Sequence, residues 1–190
     1  MNSTISLDSL KSICGGCRLY SAVIDGSRNP DIYPKLKQLP QRVSCLHSGI
    51  SNVAEENRGL YPYQVELRDD EFSQWLFSEG WGNRWCIFIG TDVSFPLLRN
   101  YFANQLLSSQ KNSHADFFKF YDPQVLQQFL FNAGDAQLKK MFKYVTYYWM
   151  EKENNRPIYF YFKPRASIRK NPKDVYIPDF VRHLPLASEL

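Results

Sequence analysis

The chain has 190 residues, of which 44% are apolar and 22% charged, and a formal charge of +4. This is the balance of a soluble globular domain, and it excludes wholesale disorder, collagen and a disulfide-stapled miniprotein. No apolar run approaches the roughly 20 residues that a membrane span needs. The opening Met-Asn-Ser-Thr-Ile-Ser-Leu-Asp lacks the basic start and apolar run of a signal peptide, so a cytoplasmic chain is expected.

Residues 1–17 read as a polar lead-in. Leu19 to Ile24 predicts a strand. Asn29-Pro30 then opens a helix, because Asn caps free amides and Pro loses nothing at the first helical position. Ile32, Tyr33, Leu36 and Leu39 make its apolar stripe, and Pro40 stops it. Val43 to Leu46 predicts a short strand, and the polar stretch 48–59 a loop with about one helical turn. Tyr63 to Leu67 alternates apolar and polar residues, the pattern of a half-buried strand.

Asp69 and Asp70 open the next helix, with Phe72, Trp75 and Leu76 on one face and Gly80 at its end. Arg84 to Ile89 is the most apolar strand and is expected at the sheet centre. Ser94 to Leu107 has helical spacing of Leu97, Leu98, Tyr101, Phe102 and Leu106. Phe117 to Tyr121 predicts another strand, and Asp122-Pro123 repeats the signal of a cap followed by proline. Asp135 to Phe142 reads as a helix. Tyr144 to Met150 and Ile158 to Phe162 read as an antiparallel hairpin.

Strands alternating with helices predict an α/β layered domain. Its sheet is expected to be mixed and largely parallel, flanked by helices and closed by the C-terminal hairpin. The expected organisation is a lead-in (1–17), one domain (18–163) and a basic, proline-containing tail (164–190). From Lys139 onward the chain carries eleven Lys and Arg against five Asp and Glu. This basicity suits either a solvated tail or a contact with an acidic partner or nucleic acid.

Cys14-Gly15-Gly16-Cys17 has redox or half-zinc spacing. It precedes the first strand, however, where a thioredoxin pair follows one. Cys45 and His47 complete a possible zinc set, although Cys-x-His is an unusual second half. Reduced thiols of a cytoplasmic protein are the simpler reading. No P-loop is present and no Gly-x-Ser-x-Gly elbow. Gly80-Trp81-Gly82 precedes a strand and lacks the third glycine of a dinucleotide fingerprint. His47, His114 and His183 lie beside no recognisable nucleophile. No cofactor and no metal is called for.

Aromatic residues are dense instead: fifteen of them lie between Phe117 and Phe162. In Tyr144–Met150 and Tyr159–Phe162 large side chains point to both sheet faces. They require either covering helices or a partner, and Tyr and Trp are favoured contact residues. Base stacking on these aromatics, with the basic tail, makes a nucleic-acid-binding module the alternative reading.

Four blocks, in order, carry a resemblance. They are Leu19 to Gly26 with Pro30-Asp31-Ile32-Tyr33; Tyr61-Pro62-Tyr63-Gln64-Val65-Glu66-Leu67; Trp75-Leu76 leading to Gly80-Trp81-Gly82-Asn83-Arg84-Trp85-Cys86-Ile87; and Phe118-Lys119-Phe120-Tyr121-Asp122-Pro123-Gln124-Val125-Leu126. Together they resemble the effector adaptor/chaperone family of bacterial type VI secretion, long catalogued as a domain of unknown function. Arg84 stands where the family usually has Ser and Cys86 where it has Gly, and Lys119 and Gln124 replace two arginines.

The resemblance implies a non-enzymatic cytoplasmic protein. It would bind a secreted effector and load it onto a VgrG-type tail spike. No membrane contact is expected, and nucleic acid is a partner only under the alternative reading. Expected partner-binding residues are Trp81, Lys119, Tyr121, Tyr147, Trp149, Tyr159 and Tyr161, with Arg165, Arg169 and Lys170 of the tail. Gly82, Trp85, Asp122 and Pro123 are expected to be structural: Gly82 frees a turn, Trp85 opens the central strand, and Asp122-Pro123 starts a helix.

Overall fold

The strand that follows Trp85 organises the rest. In the computed structural model, which describes residues 5–14, 16–47, 49–111, 118–152, 155 and 157–161, all six positions of β4 (Cys86–Thr91) are buried. A strand buried on both faces sits inside a sheet with helices on both sides. The order is β2 (Val43–Cys45), β3 (Pro62–Glu66), β1 (Leu19–Asp25), β4, β5 (Tyr147–Glu151) and β6 (Pro157–Tyr161).

Every neighbouring pair is antiparallel. The expected mixed, largely parallel sheet is therefore corrected to an all-antiparallel one within an α/β fold. The alternation of strands and helices misleads for a topological reason. The connection from β1 through α2 (Ile32–Lys37) to β2 does join two parallel strands, but β3 lies between them. Likewise α3 (Glu71–Gly80) joins β3 to β4, with β1 between. Each crossover skips one strand, and the skipped strand runs the other way. This is the split β-α-β-β-α-β arrangement, ferredoxin-like in order. The hairpin β5–β6 extends it beyond β4 in the register Trp149 to Tyr159, as an antiparallel pair.

One sheet face is covered by α1 (Leu7–Cys14), α2 and α3, through Leu10, Ile32, Leu36, Leu76 and Phe77. The other is covered by α4 (Phe95–Lys111), α5 (Pro123–Asn132) and α6 (Asp135–Met141), through Leu98, Phe102, Leu126, Leu130 and Leu138. Both faces of the aromatic strand β5 are thus occupied by the chain itself. Tyr148 and Met150 enter the second core, and Trp149 enters the first. The same two-sided cover buries Gln64 of β3 completely, where alternation predicts a solvent-facing residue.

Two further expectations are corrected. Residues 7–14 of the lead-in are helical, and Leu7 and Leu10 are buried. Phe118 to Tyr121 forms irregular chain and a turn, not a strand, and Phe117 lies outside the described residues. Its alternating rings are plugs for the helical layer: Phe120 stacks on Phe102 at 5.1 Å and Phe118 packs on Phe129 at 4.7 Å. Two caps read from sequence hold: the Asp70 carboxylate accepts from the Ser73 amide, and that of Asp122 accepts from Gln124 and Val125. The third is corrected: α2 starts at Ile32 after Asp31, without a side-chain cap, and Asn29 accepts only from the Asp31 amide ahead of the helix. Residues 164–190, the expected tail, lie outside the described residues. Among those described, no helix is long and apolar enough to cross a membrane.

Gly26 is the tightest point. A Cβ there would lie 2.4 Å from the Gly59 carbonyl oxygen and 2.7 Å from that of Tyr61. Both are backbone atoms and cannot swing away. Gly26→Ala is expected to destabilise the fold by about 1–3 kcal/mol through overpacking. Gly59→Ala, whose added carbon meets only the Tyr33 side chain at 3.4 Å, is expected to cost far less. Thermal melts of the two variants check the contrast.

Candidate functional site

Because β1 and β5 run opposite to β4, the end of β1, the start of β4 and the end of β5 collect at one edge of the sheet. The start of α5 joins them there, and a polar network ties the four together. Asp25, the last residue of β1, is buried, and its carboxylate accepts from the Ser27 amide at 3.1 Å and the Ser27 hydroxyl at 2.6 Å. Arg28 reaches back to Asp25 at 3.4 Å and across to Asp122 at 2.5 Å. One guanidinium therefore bridges the end of β1 to the cap of α5. An arginine fork suits this, since it serves two carboxylates at once.

The network continues through the turn before β4. Gly82 and Arg84 both have positive φ, 88° and 56°. Gly82 pays nothing for that conformation, and a side chain there would also crowd Asn155 at 3.1 Å. The Gly82 amide donates to the Glu151 carboxylate at the end of β5. Arg84 donates to the Gln124 amide oxygen on α5 at 2.8 Å. Arg84 and Gln124 are two of the positions that depart from the family blocks, and the departures meet each other.

Burial pushes the Glu151 carboxyl above its ordinary range, although the Gly82 and Arg84 amides and the Arg84 and Arg28 charges favour its ionised form. Burial likewise raises the Tyr121 hydroxyl, helped by the Asp25 and Asp122 carboxylates and opposed by Arg28. The thiols of Cys17, Cys45 and Cys86 are raised chiefly by burial too, which keeps them protonated and poor nucleophiles. Cys45 donates to the Pro62 carbonyl and accepts from the His47 amide, and the His47 ring stacks on Tyr61 at 4.5 Å. Among the described residues, no three His, Cys, Asp or Glu side chains gather as metal ligands. The Cys14 side chain lies outside the described residues.

The expected contact residues fall into three groups. Trp149 and Tyr121 are buried, as is Tyr159, so they offer almost no surface. Trp81, Tyr147 and Tyr161 are partly exposed against the first core, and Lys119 is exposed. Trp81 is pinned, its indole N–H donating to the Asn155 carbonyl at 2.8 Å and its ring lying 5.1 Å from Trp149. Arg165, Arg169 and Lys170 lie outside the described residues. Trp85 is buried in the first core, as a structural role requires.

A groove of about 750 Å³ opens beside the network, lined by Gly26, Ser27, Tyr33, Pro34, Glu55 and Leu60 among others. Leu60 is 63% exposed there. Glu55 is already engaged by Lys37, Tyr33 and Arg58. Sequence reading missed Asp25, Arg28, Glu151 and Leu60. The acid ending each of two apolar strands was a usable signal for Asp25 and Glu151; nothing local marks Leu60.

Two outcomes test the network. Asp122→Ala removes the α5 cap and leaves Arg28 without that partner, an expected loss of about 1–2 kcal/mol; a double-mutant cycle with Arg28→Ala is expected to be non-additive. For Glu151, the folded state holds the proton more tightly than the unfolded chain. Its contribution is therefore complete below the ordinary value of 4.5 and is lost as pH rises through the raised range. Wild-type melting temperature is expected to carry this downward component above about pH 4.5, and Glu151→Gln is expected to remove it.

The family model described as "Domain of unknown function (DUF4123)" matches residues 20–140, so the chain belongs to that family. No curated protein and no solved structure matches it.

Proposed function

We propose that this DUF4123 protein is a non-enzymatic adaptor that binds a type VI secretion effector in the cytoplasm and helps load it onto a VgrG-type spike. The observation that carries the reading is the convergence of the resembling blocks. The first block ends in Asp25-Gly26, the third holds the turn at Trp81 to Arg84, and the fourth holds Asp122-Pro123. All three meet in the Arg28 and Arg84 network at one sheet end. Their polar groups are spent on joining elements, which is scaffold chemistry. What they scaffold is the adjoining apolar groove with its exposed Leu60.

An exposed leucine in a groove gains about 1.5–3 kcal/mol when a partner covers it. The apolar lining therefore supplies affinity, and the charges around Glu55 supply orientation. The test is capture of the tagged protein from the cell that makes it, read by mass spectrometry. Enrichment of a large toxin-like protein or a spike protein is expected. Recovery of nucleic acid alone, with such partners expressed, contradicts the reading. Leu60→Asp is expected to cut effector recovery about tenfold or more while leaving the melting temperature unchanged, since a tenfold loss corresponds to about 1.4 kcal/mol.

A further inference from the structure

A second groove lies on a different part of the surface. It has a volume of about 710 Å³ and runs between the start of α1 and the length of α3. Its floor includes Trp75, Phe77 and Trp81, and its rim carries Asp8, Asp69 and Glu71, all three exposed. Among the described residues, the rim is only partly neutralised. Arg68, its one cation, is held by Glu66 through two bonds of 3.1 and 3.3 Å. Among the described residues, neither Asp69 nor Glu71 has a hydrogen-bond or ion-pair partner, and Asp8 has only Lys11 at 3.8 Å. Asp70 does the capping of α3 and pairs with Arg42, so its neighbours are not needed for either task.

The Lys35 ammonium, which does not line the groove, lies 4.8 Å from the centre of the Trp75 ring, so this indole already takes part in one cation–π contact. An indole face beside uncompensated carboxylates attracts a guanidinium or ammonium by both its quadrupole and the local charge. The ten residues of α3 give the groove a length of about 15 Å, room for about five residues of extended chain. In an extended segment every second side chain points the same way.

We infer that this groove binds a short extended segment of a protein partner bearing arginine or lysine at alternate positions. The basic side chains meet Asp8, Asp69 and Glu71, and their stems lie on Trp75 and Trp81. This goes beyond the adaptor reading and does not depend on it.

The test titrates the full chain with the blocked peptide Arg-Leu-Arg-Leu-Arg, following tryptophan fluorescence and heat. The control is Glu-Leu-Glu-Leu-Glu. The basic peptide is expected to bind about tenfold or more tighter than the acidic one and to weaken as salt is raised. The doubly reversed variant D69K/E71K, altered only at exposed positions, is expected to remain folded with a slightly lower melting temperature, because two lysines oppose the α3 dipole, and to lose that preference. Equal binding of the two peptides, or a preference that survives the reversal, overturns the inference. So does tighter basic-peptide binding in R165E/R169E/K170E, because the groove's occupant is then this chain's own basic segment. Neither effector nor spike enters the assay, so its failure is separable from that of the adaptor reading.

Discussion

The burial of β4 on both faces is the constraint from which the rest follows. A strand with no solvent-facing side forces helices onto both sides of the sheet and apolar side chains onto both faces of its neighbours. Phe88 lies against Phe77 at 4.6 Å and Trp149 at 5.6 Å in one core, while Ile87 and Ile89 lie in the other. Each such side chain contributes about 1.5–3 kcal/mol by leaving water. The antiparallel pairing of β4 with β1 and β5 then decides where the chain's turns meet. The ends that gather at one edge carry Asp25, Arg84 and Glu151, and the charge network there is a consequence of the strand order.

That network trades desolvation against contact. Asp25 and Glu151 are both largely withdrawn from water. Asp25 accepts from the Ser27 hydroxyl and amide and pairs with Arg28. For Glu151 burial outweighs its amide partners, and the carboxyl is raised. Hydrogen bonds and ion pairs tie the loops of this edge to one another. Loops tied in this way have less freedom to lose on binding, which would lower the ordering cost for the proposed partner.

Much of this was legible in the sequence because local chemistry dictated it. Asp70 and Asp122 cap their helices as their positions before an apolar stripe or a proline demand. The apolar run at residues 85–89 marks the central strand. The strand directions were not legible. Helices between strands normally signal parallel neighbours, and only the long-range insertion of β1 and β3 into each other's crossovers reverses this. The Phe118–Tyr121 stretch alternates like a strand, yet its rings fill the α4–α5 layer, a tertiary demand that periodicity cannot express. At the candidate site, Gly82 was visible as a turn glycine. Arg28 bridging Asp25 to Asp122 was not, since 94 residues separate it from the latter. Trp149 and Tyr121 looked like contact residues because aromatic density does not distinguish a core from an interface.

The proposed site of partner recognition is the groove beside the sheet end, with the network as its frame. Hydrogen–deuterium exchange of the protein, alone and bound to the partner it captures, tests this most directly. New protection is expected over residues 26–38 and 55–60, which hold the groove lining, with the buried strands β1 and β4 unchanged. Protection confined to other surfaces, with those two segments exchanging as before, would contradict it.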